Sequence, residues 1–192
     1  MLFTPVSWHI RRFRWPKSAA SAKLHPMRSH DVLIEGYGRI QEEVHAVVEG
    51  LSPDDLHARP GDGANSIAWL IWHLTRVQDD HVADAAGIEQ VWLAQGWADR
   101  FDLPLERTDT GYGHTPKQVG QVQVASGDLL LGYHDAVHEQ TLGFLADVKD
   151  AALDRVVDEH WDPPVTLGVR LVSVLSDDLQ HVGQAAYARG LL

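Results

Sequence analysis

Apolar residues recur at intervals of three and four along four stretches of the chain. The first begins after Ser29 or His30 and runs to about Glu49, through Val32, Ile34, Tyr37, Ile40, Val44, Val47 and Val48. That spacing is the period of an amphipathic helix. The second, "IAWLIWHLTRVQDDHVADAA", starts behind a cap-forming Asn65 or Ser66 and stops at Gly87. At about 100° per residue, Ile67, Leu70, Ile71, Leu74 and Val77 share one face of it. The third opens at Thr115–Pro116 and reaches about Val148 through Leu129, Leu130, Tyr133, Val137 and Phe144, with a break expected at "ASG". The fourth runs from Val165 to about Arg189 and ends at Gly190. Residues 51–63 are dense in Pro, Gly and Asp and read as a loop. Residues 89–115 lose all periodicity; a loop of that length inside a domain commonly serves as a lid or binding loop. No useful strand alternation and no internal repeat appear. The pattern predicts an all-α fold, a four-helix bundle over residues 28–192.

Charge sharpens this picture. The chain has 192 residues, 44% hydrophobic and 22% charged, with a formal net charge of −11. Residues 1–27 carry five basic residues (Arg11, Arg12, Arg14, Lys17, Lys23) and no acid. This stretch lacks a helical period and the apolar core of a secretory signal. It reads as a disordered basic tail, and Met27 offers an alternative start of translation. The rest holds 11 basic and 27 acidic residues, a net −16 that argues against nucleic acid as the main partner. The longest apolar run, Ile67 to Trp72, is too short to span a bilayer. Cysteine is absent, which excludes disulfides, Cys-ligated zinc and a cysteine nucleophile, and points to a cytoplasmic protein. Asp79, Asp80 and Asp84 make the end of the second helix acidic, against the macrodipole; the simplest reading is a solvated end.

On the fourth helix, Leu171, Val174, Leu175, Val182, Ala185 and Ala186 mark the apolar face. Asp177 and His181, four apart, stack at its flank, and Asp178 lies nearer its centre. On the second helix His73 sits at the flank and His81 closer to the centre. A buried carboxylate needs a partner or a cation. A helical Asp/His pair can supply two ligands to one metal ion, and a third from a facing helix completes a set that leaves one position open. The plainer alternatives are a solvated Asp177–His181 pair, a salt bridge at Asp178 and a hydrogen-bonded core histidine at His81.

The segments "NSIAWLIWHLTRVQDDH" and "VLSDDLQHVGQAAYARG" together resemble the DinB-like superfamily of helical bundles. More narrowly, they resemble its mycothiol-dependent branch, which includes mycothiol S-transferases and maleylpyruvate isomerase. The likeness covers about residues 28–192 and rests on W-x-x-W-H-L and D-x-x-x-H-x-G-Q, in this order. It implies metal ligation by His73, Asp177 and His181. Asp177 departs from the family, where histidine or glutamate is usual; the shorter side chain draws a metal toward the fourth helix or lets Asp178 share the task. The resemblance further implies a divalent metal, zinc by default and nickel as an alternative, and mycothiol as a thiol cosubstrate for attack on an electrophile. On the fourth helix Gln184 and Arg189 are candidates to orient the cosubstrate, the alternatives being a bond from Gln184 to a ligating side chain and a favourable helix C-terminus for Arg189. Tyr112 and His114 in "DTGYGHTP" are candidates to line a lid, and the resemblance lets two chains pair as a homodimer. A metal-dependent hydrolase and a non-catalytic metal-binding bundle use the same residues and stay open as alternatives.

Overall fold

A computed structural model describes residues 26–192; the tail assigned to residues 1–27 therefore lies almost wholly outside the described residues. Four long helices dominate: α1 (Ser29–Val48), α3 (Ile67–Ala86), α7 (Gly127–Asp147) and α8 (Leu167–Arg189). Four short ones decorate the connections: α2 (Pro53–His57), α4 (Val91–Ala94), α5 (Trp97–Phe101) and α6 (Pro116–Val119). Around the bundle, α3 packs on α8, α8 on α1, α1 on α7, and α7 back on α3. The interior is filled by Tyr37, Ile40, Ile71, Trp72, Leu74, Leu130, Tyr133, Leu145 and Leu171. The fold is the all-α bundle that the apolar periodicity predicts. Among the described residues, no helix is long and apolar enough to cross a membrane.

The helix ends follow their local chemistry. Ser66 caps α3 by accepting from the Trp69 N–H, and Gly87, at φ 69°, ends it. Thr166 caps α8 in the same way through the Val169 N–H. Val165 and Thr166 are not the first turn of that helix; they form β2, paired antiparallel with β1 (Val156–Asp158). The predicted third helix is really two. Thr115 starts α6 with Pro116 in its first turn, but the helix stops after Val119. Val122 and Val124 then point inward as buried alternating residues. Gly127 opens α7 where a Cβ would lie 2.7 Å from Val48 Cγ1, so glycine lets α7 meet the end of α1.

The largest departure concerns α3. It does not bury one face but nearly its whole circumference, from Ile67 through Arg76. Residues 89–115, with α4 and α5, wrap the side that periodicity leaves to solvent. Asp79 is consequently not part of a solvated end. Its carboxylate is buried and accepts from the N–H groups of Val91 and Trp92, both at 2.8 Å, and from the Tyr133 hydroxyl at 2.8 Å. An acid that caps the start of a neighbouring helix favours that helix's dipole rather than opposing its own.

Candidate metal centre

His73 leaves α3 one turn after Trp69, and the two rings stack at 4.5 Å and 18°. Its Nδ1 lies 2.5 Å from the Thr110 carbonyl oxygen. A carbonyl only accepts, so the ring proton sits on Nδ1 and the Nε2 lone pair is free. Burial, the largest cause, lowers the His73 pKa, and the imidazole is neutral near pH 7.

Asp177 and His181 face this ring from α8. His181 Nε2 stands 3.6 Å from Asp177 Oδ1, and its Nδ1 lies 3.2 Å from Gln184 Oε1. With its oxygen toward the ring, the Gln184 amide accepts from His181 Nδ1, the arrangement that the Thr110 carbonyl imposes on His73. The two imidazoles are 4.8 Å apart between centroids and inclined by 75°, and Trp69 meets His181 edge-on at 6.2 Å. One donor atom from each of His73, Asp177 and His181 lies within 4.8 Å of the other two. Asp177 Oδ2 is buried and has no hydrogen-bond partner within the protein. Two imidazole nitrogens with free lone pairs and an unpartnered carboxylate oxygen fit a divalent cation by donor type and by charge.

Asp178 stays out of this group. It is fully buried, and both its oxygens lack partners. Burial first, then the charge of Asp177, pushes its pKa well above the usual carboxylate range. Among the described residues it forms no salt bridge. His81 is half-buried on a cavity wall, where Arg170 Nη1 lies 2.7 Å from its Nδ1. Burial and then the Arg170 charge lower its pKa.

That cavity holds about 510 Å³ and is lined by His73 and Asp177 together with Asp80, His81, Asp158 and Arg170. Trp161, 66% exposed on the β1–β2 hairpin, and Tyr112, 93% exposed, also line it. Trp161 of the hairpin and Arg170 of the first turn of α8 escaped the sequence reading because nothing in their spacing ties them to α3. Of the two lid candidates, Tyr112 sits at the cavity, whereas His114 is buried and bonded on both ring nitrogens, to Trp69 Nε1 and to the Asp109 carboxylate. Gln184 touches the cluster through His181. Arg189 Nη1 donates to the carbonyls of Ala46, Val47 and Glu49, the last turn of α1.

A helical bundle with a His/Asp/His cluster on two facing helices, opening on a cavity, defines a class of candidate metalloproteins. The chain belongs to the DinB superfamily, whose profile matches residues 37–185. A crystal structure of a conserved protein from Enterococcus faecalis is similar over 86% of this chain and 98% of its own, at 32% identity and a TM-score of 0.81. No protein of curated function matches the chain.

Proposed function

We propose that the chain is a metal-dependent S-transferase that joins a small-molecule thiol to an electrophile. The observation that carries this reading is the convergence of His73, Asp177 and His181 beside a cavity, in a chain without cysteine. Two imidazoles and a carboxylate suit zinc first, and nickel also, and three protein ligands leave a position open for the reacting molecule. Bound there, a divalent cation supplies the positive charge that lowers the pKa of a thiol brought to it.

The chain's own residues do the rest. His73, Asp177 and His181 hold the ion, and Thr110 and Gln184 keep both Nε2 atoms turned to it. Trp69, stacked on one imidazole and edge-on to the other, closes a flank to water. Since the chain has no thiol of its own, the sulfur nucleophile comes from solution. Gln184 bonds His181 and Arg189 bonds the end of α1, and in this reading the cosubstrate's polar groups lie in the cavity. There, the Arg170 guanidinium sits between Asp158, at 2.8 Å, and His81, with Asp80 nearby. Two carboxylates disfavour an anionic guest and the guanidinium disfavours a cationic one. Mixed donors and acceptors beside an exposed Trp161 suit a neutral, hydroxyl-bearing arm. This supports mycothiol, a thiol on a sugar scaffold, over glutathione with its two carboxylates. Action in the cytoplasm on free small molecules belongs to the same proposal.

Metal analysis of the purified protein, followed by thiol conjugation to an electrophilic dye, tests it. The expected result is about one divalent ion per chain, filling the three-ligand set. Mycothiol should be consumed faster than glutathione, and conjugation should stop after chelation. Turnover of an ester or amide without any thiol would reassign the site to hydrolysis. Bound metal with no turnover of any kind would reduce the protein to a metal-binding bundle.

A further inference from the structure

Residues 109–114 cross α3 as a strap. Its anchors follow one stripe of the helix, at offsets of three, four and seven residues. Trp69 Nε1 donates to His114 Nδ1 at 3.1 Å. Trp72 stacks on His114 with centroids 6.0 Å apart. His73 Nδ1 meets the Thr110 carbonyl, and Arg76 Nε donates to the Asp109 carbonyl at 3.1 Å.

The strap is also braced from both sides. On the core side, the Arg76 side chain is fully buried, an expensive placement for a guanidinium unless its donors are engaged. They are: Nη1 reaches the Tyr133 hydroxyl at 3.1 Å and Asp79 at 3.4 Å, and Nη2 reaches Gln90 Oε1 at 2.9 Å. The guanidinium also lies 5.0 Å over the Trp92 ring. On the outer side, Asp109 Oδ1 accepts from the Gly111 N–H at 2.7 Å, and both carboxylate oxygens lie within 3.0 Å of His114 Nε2. Because His114 Nδ1 accepts from the indole, its proton is on Nε2 and faces that carboxylate. Thr110 sits between these two fixed points. Gly111 has φ +90°, and a Cβ there would stand 2.7 Å from His73 Nδ1 and 3.0 Å from Trp72 Cζ3. Glycine is what lets the strap approach the imidazole this closely.

We propose that Arg76, Asp109 and Gly111 are positioning residues. Together they hold the Thr110 carbonyl so that His73 keeps its proton on Nδ1 and presents Nε2 to Asp177 and His181. The consequence for metal binding rests on the function proposed above; the tautomer of His73 does not.

The test uses imidazole nitrogen–proton spectra of the ¹⁵N-labelled, metal-free protein, together with zinc or nickel titration. Asp109→Ala loosens the strap without touching a ligand, Gly111→Ala forces the strap away from the His73 ring that its methyl would meet, and Asp109→Asn keeps an oxygen that can accept from the Gly111 N–H. In the wild type, His73 should show a single Nδ1–H tautomer. Both alanine variants should show a mixture and bind metal about 10–100-fold more weakly, the usual effect of removing an outer partner of a ligating histidine. Asp109→Asn should stay close to wild type in both readouts. A folded Gly111→Ala or Asp109→Ala that retains the single tautomer and unchanged metal affinity would overturn the proposal. If Gly111→Ala fails to fold, Asp109→Ala decides. Should the wild type bind no metal, the metal-centre reading falls, and the tautomer comparison still decides whether the strap positions His73.

Discussion

The α3–α8 seam and the α1–α7 seam both hold histidines, and they treat them in opposite ways. At α3–α8 the imidazoles come from different helices, each has an oxygen beside its Nδ1, and a nitrogen of each lies within 4.8 Å of one carboxylate oxygen of Asp177. On α7, His134 and His138 lie one turn apart, with near-parallel rings 6.2 Å between centroids. Both ring nitrogens of His134 and Nδ1 of His138 are buried without a partner. The nearest acid, Asp135, is taken up by Gln41 and His45 of α1, each at 2.8 Å. A buried imidazole therefore does not define a site. Convergence from two helices, with the second nitrogen of each ring fixed by an acceptor, does.

The strongest way to break this contrast is by substitution at the ligands. His73→Ala, Asp177→Ala and His181→Ala should each lose metal almost completely, by about 100-fold or more in affinity, since one of only three ligands goes. His134→Leu and His138→Leu should leave metal stoichiometry unchanged. Elemental analysis of matched preparations reads both arms. Full retention in Asp177→Ala would shift the carboxylate role to Asp178.

A second test is by pH. Burial first, and then the neighbouring His138, pull the His134 pKa from 6.5 down to about 3. Between those values the unfolded chain binds a proton that the folded chain refuses. Stability present above pH 6.5 is thus lost as the pH falls toward 3. At about pH 4.5 this residue alone should cost about 2–3 kcal/mol, at roughly 1.4 kcal/mol per pH unit. His134→Leu should flatten that part of the profile, as read from urea midpoints at neutral and acid pH. An unchanged slope would mean that His134 finds a partner in solution.

Smaller effects separate Arg189 and Asp178 from the centre. Arg189→Met removes the donor that closes α1 and should lower stability by about 1 kcal/mol, with metal content intact. Asp178→Asn keeps the shape and removes the ionisable carboxyl that burial disfavours, and should change stability by less than about 1 kcal/mol near pH 7. A large loss in Asp178→Asn would show that the carboxylate is ionised and tied to the centre. Thermal melts with and without added zinc distinguish these outcomes.

The four long helices and the Asp177–His181 pair were legible because each depends on spacing within one element. The same holds for the caps at Ser66 and the stop at Gly87. What escaped depends on contacts far apart in the chain. Nothing near Asp79 announces that Val91 and Trp92 will cover it, so its charge reads as solvent-facing. Val122 and Val124 look like part of a helix because buried valines fit either period over so few residues. The Thr110 carbonyl that fixes His73 is backbone, and composition does not mark it. The centre was visible as residue types; its orienting shell became visible only in three dimensions.

The ligands of the centre also fix when it can exist. His73 lies on α3 and its partners on α8, more than a hundred residues later. On the ribosome, α3 is made long before α8 emerges, with two of the three residues of the cluster missing. Until then His73 is a single histidine among many, with no more claim on a metal ion than the others. On the proposed function, metal loading is therefore a late event in the life of each chain, and a nascent chain stalled before α8 should carry none.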